Sequence, residues 1–200
     1  MTSLLKCHPA TPCAAISAIS VEVSQPAADQ LHLRYTVRGE IGALFIPPHM
    51  MPARTDDLWK TTCFEVFIRD PEGAGYAEFN LSPSGQWAAY AFDGYRGGMR
   101  ALDVPAPPEI SVQRADDAFV LAADLALPCS GAGRSHGDAD AAGLRPSPEH
   151  NGRRYTIALS AVIEETSGTK SYWALAHPPG APDFHHADCF ALTLPAFGAA

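Results

Sequence analysis

The sequence predicts an all-β protein, an antiparallel β-sandwich, and two observations carry that prediction. Eighteen prolines and sixteen glycines fall within 200 residues, which cuts the chain into many short elements. Between them run short segments in which apolar and polar side chains alternate, the period of a strand with one wet face. Convincing helical periodicity is scarce. Counting the segments gives about nine to ten strands, which suits two packed sheets. A closed barrel is the alternative, because strand counting does not separate the two.

Taken in order, the first strand is expected over residues 18–24, where Ile19, Val21 and Val23 alternate with Ser20, Glu22 and Ser24. In the second, over 31–38, Leu31, Leu33, Tyr35 and Val37 face one way and His32, Arg34, Thr36 and Arg38 the other. A turn at Ala27, Ala28 and Asp29 makes the two a hairpin. Residues 41–57 are irregular, since Pro47, Pro48 and Pro52 cannot donate to a ladder. Strands follow over 62–69, 76–82 and 86–92, joined by the turn-rich links 70–75 and 83–85. Links this short make antiparallel neighbours, a meander.

Residues 109–115 and 118–127 form another hairpin about Asp116 and Asp117. Residues 128–152 are biased toward Gly, Ala, Ser, Asp and Pro without apolar periodicity, and read as a flexible insertion loop. The closing strands lie over 154–164, 171–177 and 189–194, with 160–165 ambiguous between strand and helical turn. A single domain is therefore expected over 15–195, preceded by an N-terminal tail, 1–14.

Whole-chain properties bound the function. A formal charge of -8 disfavours nucleic acid and anionic membrane as partners. With 46% hydrophobic and 18% charged residues, wholesale disorder is excluded. The five cysteines are odd in number and contain no CxxC, so no disulfide framework is expected. Cys63 and Cys189 sit in apolar, strand-like surroundings that suit buried thiols, which points to a reducing compartment. Lys6, His8, Pro9 and Pro12 interrupt any apolar run near the N-terminus, so neither a secretory signal nor a membrane span is read there. A cytoplasmic location follows as the expectation.

Residues 58–96 carry the chemistry. Along their strands Glu65, Glu78 and Asn80 are interleaved with the aromatic Trp87 and Tyr90. Carboxylate, amide and aromatic groups on one sheet face suit a small polar ligand, most plausibly a sugar. Rings stack on its C–H faces, and the polar groups take its hydroxyls. The plain alternative is a solvated sheet face with cross-strand polar pairs. Arg96, with the cluster Arg54 to Asp57, offers a fork for an anionic group or an ion pair that pins a loop. Glu65 and Glu78 as a glycosidase pair is conceivable, but no spacing selects it. No G-x-S-x-G surrounds Ser82 or Ser84, and neither a P-loop nor G-x-G-x-x-G follows a strand. Enzyme activity is thus the least supported class.

The segments LWKTTCFEVFI, YAEFNLSPSGQWAAYAFDGYR and SYWALAHPPGAPDFHHADCFALTL together resemble the bacterial DOMON-like domain proteins, relatives of the DOMON and family 9 carbohydrate-binding-module superfamily. The shared order is a strand of type E-V-F-I (65–68), then Y-x-E-F-N (76–80), then Pro-x-Gly (83–85). The resemblance implies an immunoglobulin-like or jelly-roll β-sandwich that binds a sugar or haem. Family 9 modules hold a sugar between two tryptophans, which makes Trp59, Trp87 and Trp173 stacking candidates, with Glu65, Glu78, Asn80, Tyr90 and Arg96 as polar contacts. Haem-binding DOMON domains use a methionine and a histidine. Haem b would then lie between His177 or His185 and Met50, Met51 or Met99, without covalent attachment because CxxCH is missing. His177, Asp183 and His185 are also metal candidates, set against a rigid hydrogen-bonded loop before the last strand. A third reading makes the chain a protein-interaction domain.

Overall fold

The computed structural model describes residues 1–70, 73–127 and 154–194; the expected insertion loop, 128–152, lies outside the described residues. Twelve strands are present among them: β1 (Thr2–Cys7), β2 (Ile16–Ala27), β3 (Gln30–Gly39), β4 (Cys63–Arg69), β5 (Tyr76–Leu81), β6 (Trp87–Phe92), β7 (Arg100–Ala101), β8 (Glu109–Arg114), β9 (Ala118–Ala126), β10 (Thr156–Glu164), β11 (Lys170–Ala174) and β12 (Leu192–Thr193). Every pair of neighbours is antiparallel. The spatial order is β7-β6-β5-β4-β10-β11-β1-β2-β3-β9-β8, and β12 pairs with the start of β10.

One continuous, curled sheet replaces the two separate sheets expected from sequence, and β1 is the reason. Its residues Thr2 to Leu5 pair with β2, while Lys6 and Cys7 pair with β11. Residues 2–7, read from sequence as tail, are therefore a central strand. Their alternation is weak: only Leu5 is fully buried, and Leu4 is 66% exposed. The short β7 and β12 raise the strand count above nine to ten. Residues 160–165 hold no helical turn, because β10 pairs with β4 through Val162 and with β11 through Glu164.

Alternation places one face of each strand in a shared core. Val21, Leu33, Tyr35 and Leu121 from one half of the sheet meet Phe64, Val66, Phe79 and Leu159 from the other. Tyr35 and Phe64 have ring centroids 5.0 Å apart, and Phe119 stacks on Phe64 at 6.2 Å. The Tyr35 hydroxyl donates to the Glu65 carbonyl at 2.7 Å, tying β3 to β4. Removing it in Tyr35→Phe is expected to cost about 1 kcal/mol, read as a lower urea midpoint with an unchanged slope.

β4, β5 and β6 are buried on both faces, unlike β8. Their second face carries Cys63, Phe67, Tyr76 and Phe92, covered by Phe184, Cys189 and Phe190 of the chain between β11 and β12. This second face, rather than the main core, holds the buried polar residues Glu65, Glu78 and Asn80.

Candidate functional site

Strand register assembles the site floor. Glu65 of β4 lies opposite Asn80 of β5 and Ser160 of β10, and Glu78 lies opposite Tyr90 of β6. Residues two apart on a strand share a face, so Glu78 and Asn80 both point to the side on which Glu65 stands. The two carboxyls lie at the bottom of an open cleft of about 500 Å³. Trp59, Tyr90, Phe92, Tyr172 and Phe184 supply aromatic walls; Arg96, Met99 and His185 line the same space. Rings around a polar floor suit a small ligand with both apolar and hydrogen-bonding surface.

The floor carboxyls are held but not saturated. Glu65 is 3% exposed and Glu78 6% exposed. Ser160 Oγ donates to Glu65 Oε2 at 3.1 Å, and Asn80 Nδ2 donates to Glu78 Oε1 at 2.6 Å. Among the described residues no donor reaches Glu65 Oε1, and Glu78 Oε2 lies 3.8 Å from His185 Nε2, beyond hydrogen-bond distance. Burial pushes both carboxyls up, Glu78 to about 7 and Glu65 to about 8. The neighbouring Glu78 charge adds to the rise at Glu65.

One wall is a hydrogen-bonded relay. The Arg96 backbone N–H donates to the Tyr76 hydroxyl at 3.2 Å, and the same hydroxyl is hydrogen-bonded to His185 Nδ1 at 2.8 Å. The Nε2 side of the ring faces Glu78. Burial, aided by the Arg96 charge, lowers His185 to about 4, so the ring is neutral near pH 7. Arg96 itself is anchored at 2.8 Å on Asp183 Oδ1, which Tyr95 also meets through Oδ2. The Arg96 backbone is left-handed, φ 53°, a conformation that disfavours a side chain. The tight loop enforces it: Gly97 accepts from the Asp93 N–H, and at Gly98, φ 64°, a Cβ would lie 2.0 Å from Asp93 Oδ2.

The structure separates the residues that the sequence grouped together. Glu65, Glu78, Tyr90, Arg96 and Trp59 converge on the cleft. Asn80 sits under its floor, bonded to Glu78 and accepting from Cys63 Sγ at 3.7 Å. Trp87 and Trp173 do not take part; both belong to the main core on the opposite face, each 5% exposed. Parity is the cause: Trp87 lies three residues from Tyr90, and Trp173 one from the cleft-lining Tyr172, so each must point the other way. Arg54 binds no ligand group either. It donates to the Ala89 and Leu102 carbonyls at 2.9 and 2.7 Å and covers the Trp87 ring at 4.5 Å, pinning the irregular loop.

The histidine loop divides as well. His185 reaches the cleft, but His177 Nε2 is spent on the Lys6 carbonyl at 2.8 Å, and its buried Nδ1 has no partner. Among the described residues, no three His, Cys, Asp or Glu side chains gather so as to hold a metal ion. Most of the haem b donors expected from sequence are engaged or turned away. His185 Nδ1 is taken by the Tyr76 hydroxyl and His177 Nε2 by the Lys6 carbonyl, and Met50 and Met51 lie away from the cleft that Met99 lines, so among the described residues only His185 Nε2 and Met99 remain as donors toward it. Tyr172, Phe184 and Thr11 are lining residues that the sequence reading missed. Tyr172 was legible by parity within β11; Thr11 and Phe184 arrive from distant loops and carry no local signal.

Comparison with family models and with curated proteins finds no match. Among solved structures, a "putative carbohydrate-binding protein" from Bacteroides uniformis is similar over 98% of this chain and 85% of its own, with a TM-score of 0.67 and 12% identity. A carbohydrate-binding module of family 9 from Caldicellulosiruptor kristjanssonii in complex with cellotriose covers 90% of this chain and 74% of its own, at a TM-score of 0.48 and 10% identity. The glucose complex of a family 9 module from the same organism gives 0.42 and 11%, over 88% of this chain and 76% of that one. At 12% identity the likeness to the Bacteroides protein is one of fold.

Proposed function

We propose that the cleft above Glu65 and Glu78 binds a carbohydrate without transforming it. One observation carries the reading: two buried carboxyls with acceptor capacity left over stand at the bottom of an open cleft walled by rings. Each carboxyl keeps one oxygen with no hydrogen bond from the described residues, which a ligand hydroxyl can take. Trp59, 50% exposed at the rim, presents a ring face on which a pyranose can stack, while Tyr90 and Tyr172 close the sides. The Tyr90 hydroxyl is held by Asp56 at 2.6 Å, so that wall is preorganised. The fold likeness to the Bacteroides "putative carbohydrate-binding protein" and the sequence resemblance to the family 9 superfamily support the same reading.

Titration of a panel of mono- and disaccharides, followed by tryptophan fluorescence and calorimetry, tests it. Saturable binding by at least one sugar is expected. Trp59→Ala is expected to weaken that binding about tenfold, the loss of one stacking contact, with little change in melting temperature because the ring is half exposed. A panel without any saturable response removes the reading.

A further inference from the structure

We infer that the sugar taken by this cleft carries a free amino group: the site is built for a cationic saccharide such as a hexosamine. The inference rests on the carbohydrate reading above and adds the ligand's charge. Glu65 and Glu78 share the floor, each more than nine-tenths buried, and each keeps an oxygen that no donor satisfies among the described residues. A hydroxyl satisfies one such oxygen at a time. An ammonium group brings three donors and a charge, which fits two carboxyl oxygens on adjacent strands. The rings around the floor add attraction for a desolvated cation and little for a neutral group.

The charges around the floor leave room for that cation. Among the described residues, Arg96 is the only basic side chain lining the cleft apart from His185, and its guanidinium is already met by Asp183. His185 is neutral near pH 7 and turns its Nε2 toward Glu78 Oε2, 3.8 Å away. From the other packed elements, Tyr76 and Tyr90 are uncharged, each with its hydroxyl already hydrogen-bonded. Lys60, beside Trp59 at the rim, is paired with Asp57 at 2.6 Å. Arg96 favours the charged form of both floor carboxyls through its own charge, but no described cation makes a salt bridge or hydrogen bond to their cleft-side oxygens. Left empty, Glu65 stays mostly protonated near pH 7 and Glu78 is partly so, because burial disfavours both charges and the Glu78 charge adds to the rise at Glu65. A bound ammonium reverses that balance, so binding is expected to release protons.

The test compares glucosamine, glucose and N-acetylglucosamine on the whole protein at pH 7, by calorimetry in two buffers of different ionisation enthalpy. Glucosamine is expected to bind roughly tenfold tighter than either neutral sugar and to release protons, whereas glucose releases none. E78Q and E65Q are expected to abolish that preference. Equal affinity for the three sugars without proton release overturns the charge assignment while the carbohydrate reading stands. Binding of putrescine but of no sugar keeps the cation preference and removes the carbohydrate reading. If neither sugars nor putrescine bind, both fall. The comparison on the unsubstituted protein decides the matter even if a Gln variant fails to fold.

Discussion

Trp87→Ala is expected to lower folding stability by about 3–5 kcal/mol, the largest effect of any substitution discussed for this protein. The indole is 5% exposed within the main core, below the Arg54 guanidinium. Its backbone also pairs with the irregular loop, through Trp87 N to Ala53 and Thr55 N to the Trp87 carbonyl. Truncation opens a cavity and removes the surface on which Arg54 packs, so the loop that leads toward Trp59 loosens too. Urea unfolding of the variant measures the loss. The contrast with Trp59→Ala separates structure from function: one tryptophan should govern the unfolding midpoint and the other the ligand response. A Trp87→Ala protein of unchanged stability that had lost only ligand binding would return Trp87 to the site.

Stability is expected to fall by about 2 kcal/mol as pH rises from 6.5 to 8. The buried carboxyls set the sign. Glu78 and Glu65, raised to about 7 and about 8, keep protons that the unfolded chain releases near its ordinary value of 4.5. Their contribution is therefore complete below 4.5 and is lost as pH rises through the folded values. His185 acts in the opposite sense. Held neutral by burial, with its value lowered to about 4, it contributes stability above 6.5 that is lost as pH falls through 4. The two effects oppose each other between 4.5 and 6.5, and above 6.5 the carboxyls act alone. Chemical denaturation at pH 6.5, 7.2 and 8 reads the slope, and Glu65→Gln should flatten it and raise stability at pH 8. A flat profile in the unsubstituted protein would show that the floor carboxyls are already ionised and solvated. Such a result would also weaken the case for a cation site.

Much of the framework was legible before any coordinates. The alternation of Leu31, Leu33, Tyr35 and Val37 marks a strand with one buried face, and β3 is that strand. The meander of β4, β5 and β6 follows from the turn residues at 70–75 and 83–85. The choice of Glu65, Glu78 and Tyr90 as neighbours was sound because strands joined by short links pair in a register that alternation restricts. Trp87 lies at an odd offset from Tyr90, so alternation alone already sets it on the other face of β6. β1 was hard to see, since a strand with one buried residue among six has almost no pattern.

The all-β class, most strand positions and the acidic face of the central meander are written in local pattern, because period-two alternation and turn chemistry are properties of neighbouring residues. Long-range packing is what makes β1 join the two halves into one curled sheet and brings Trp59, Tyr172 and His185 together over Glu65 and Glu78. Those outcomes depend on contacts between residues up to about 170 positions apart, such as His177 on the Lys6 carbonyl. They are set by which surfaces bury together, and no window of neighbouring residues records that.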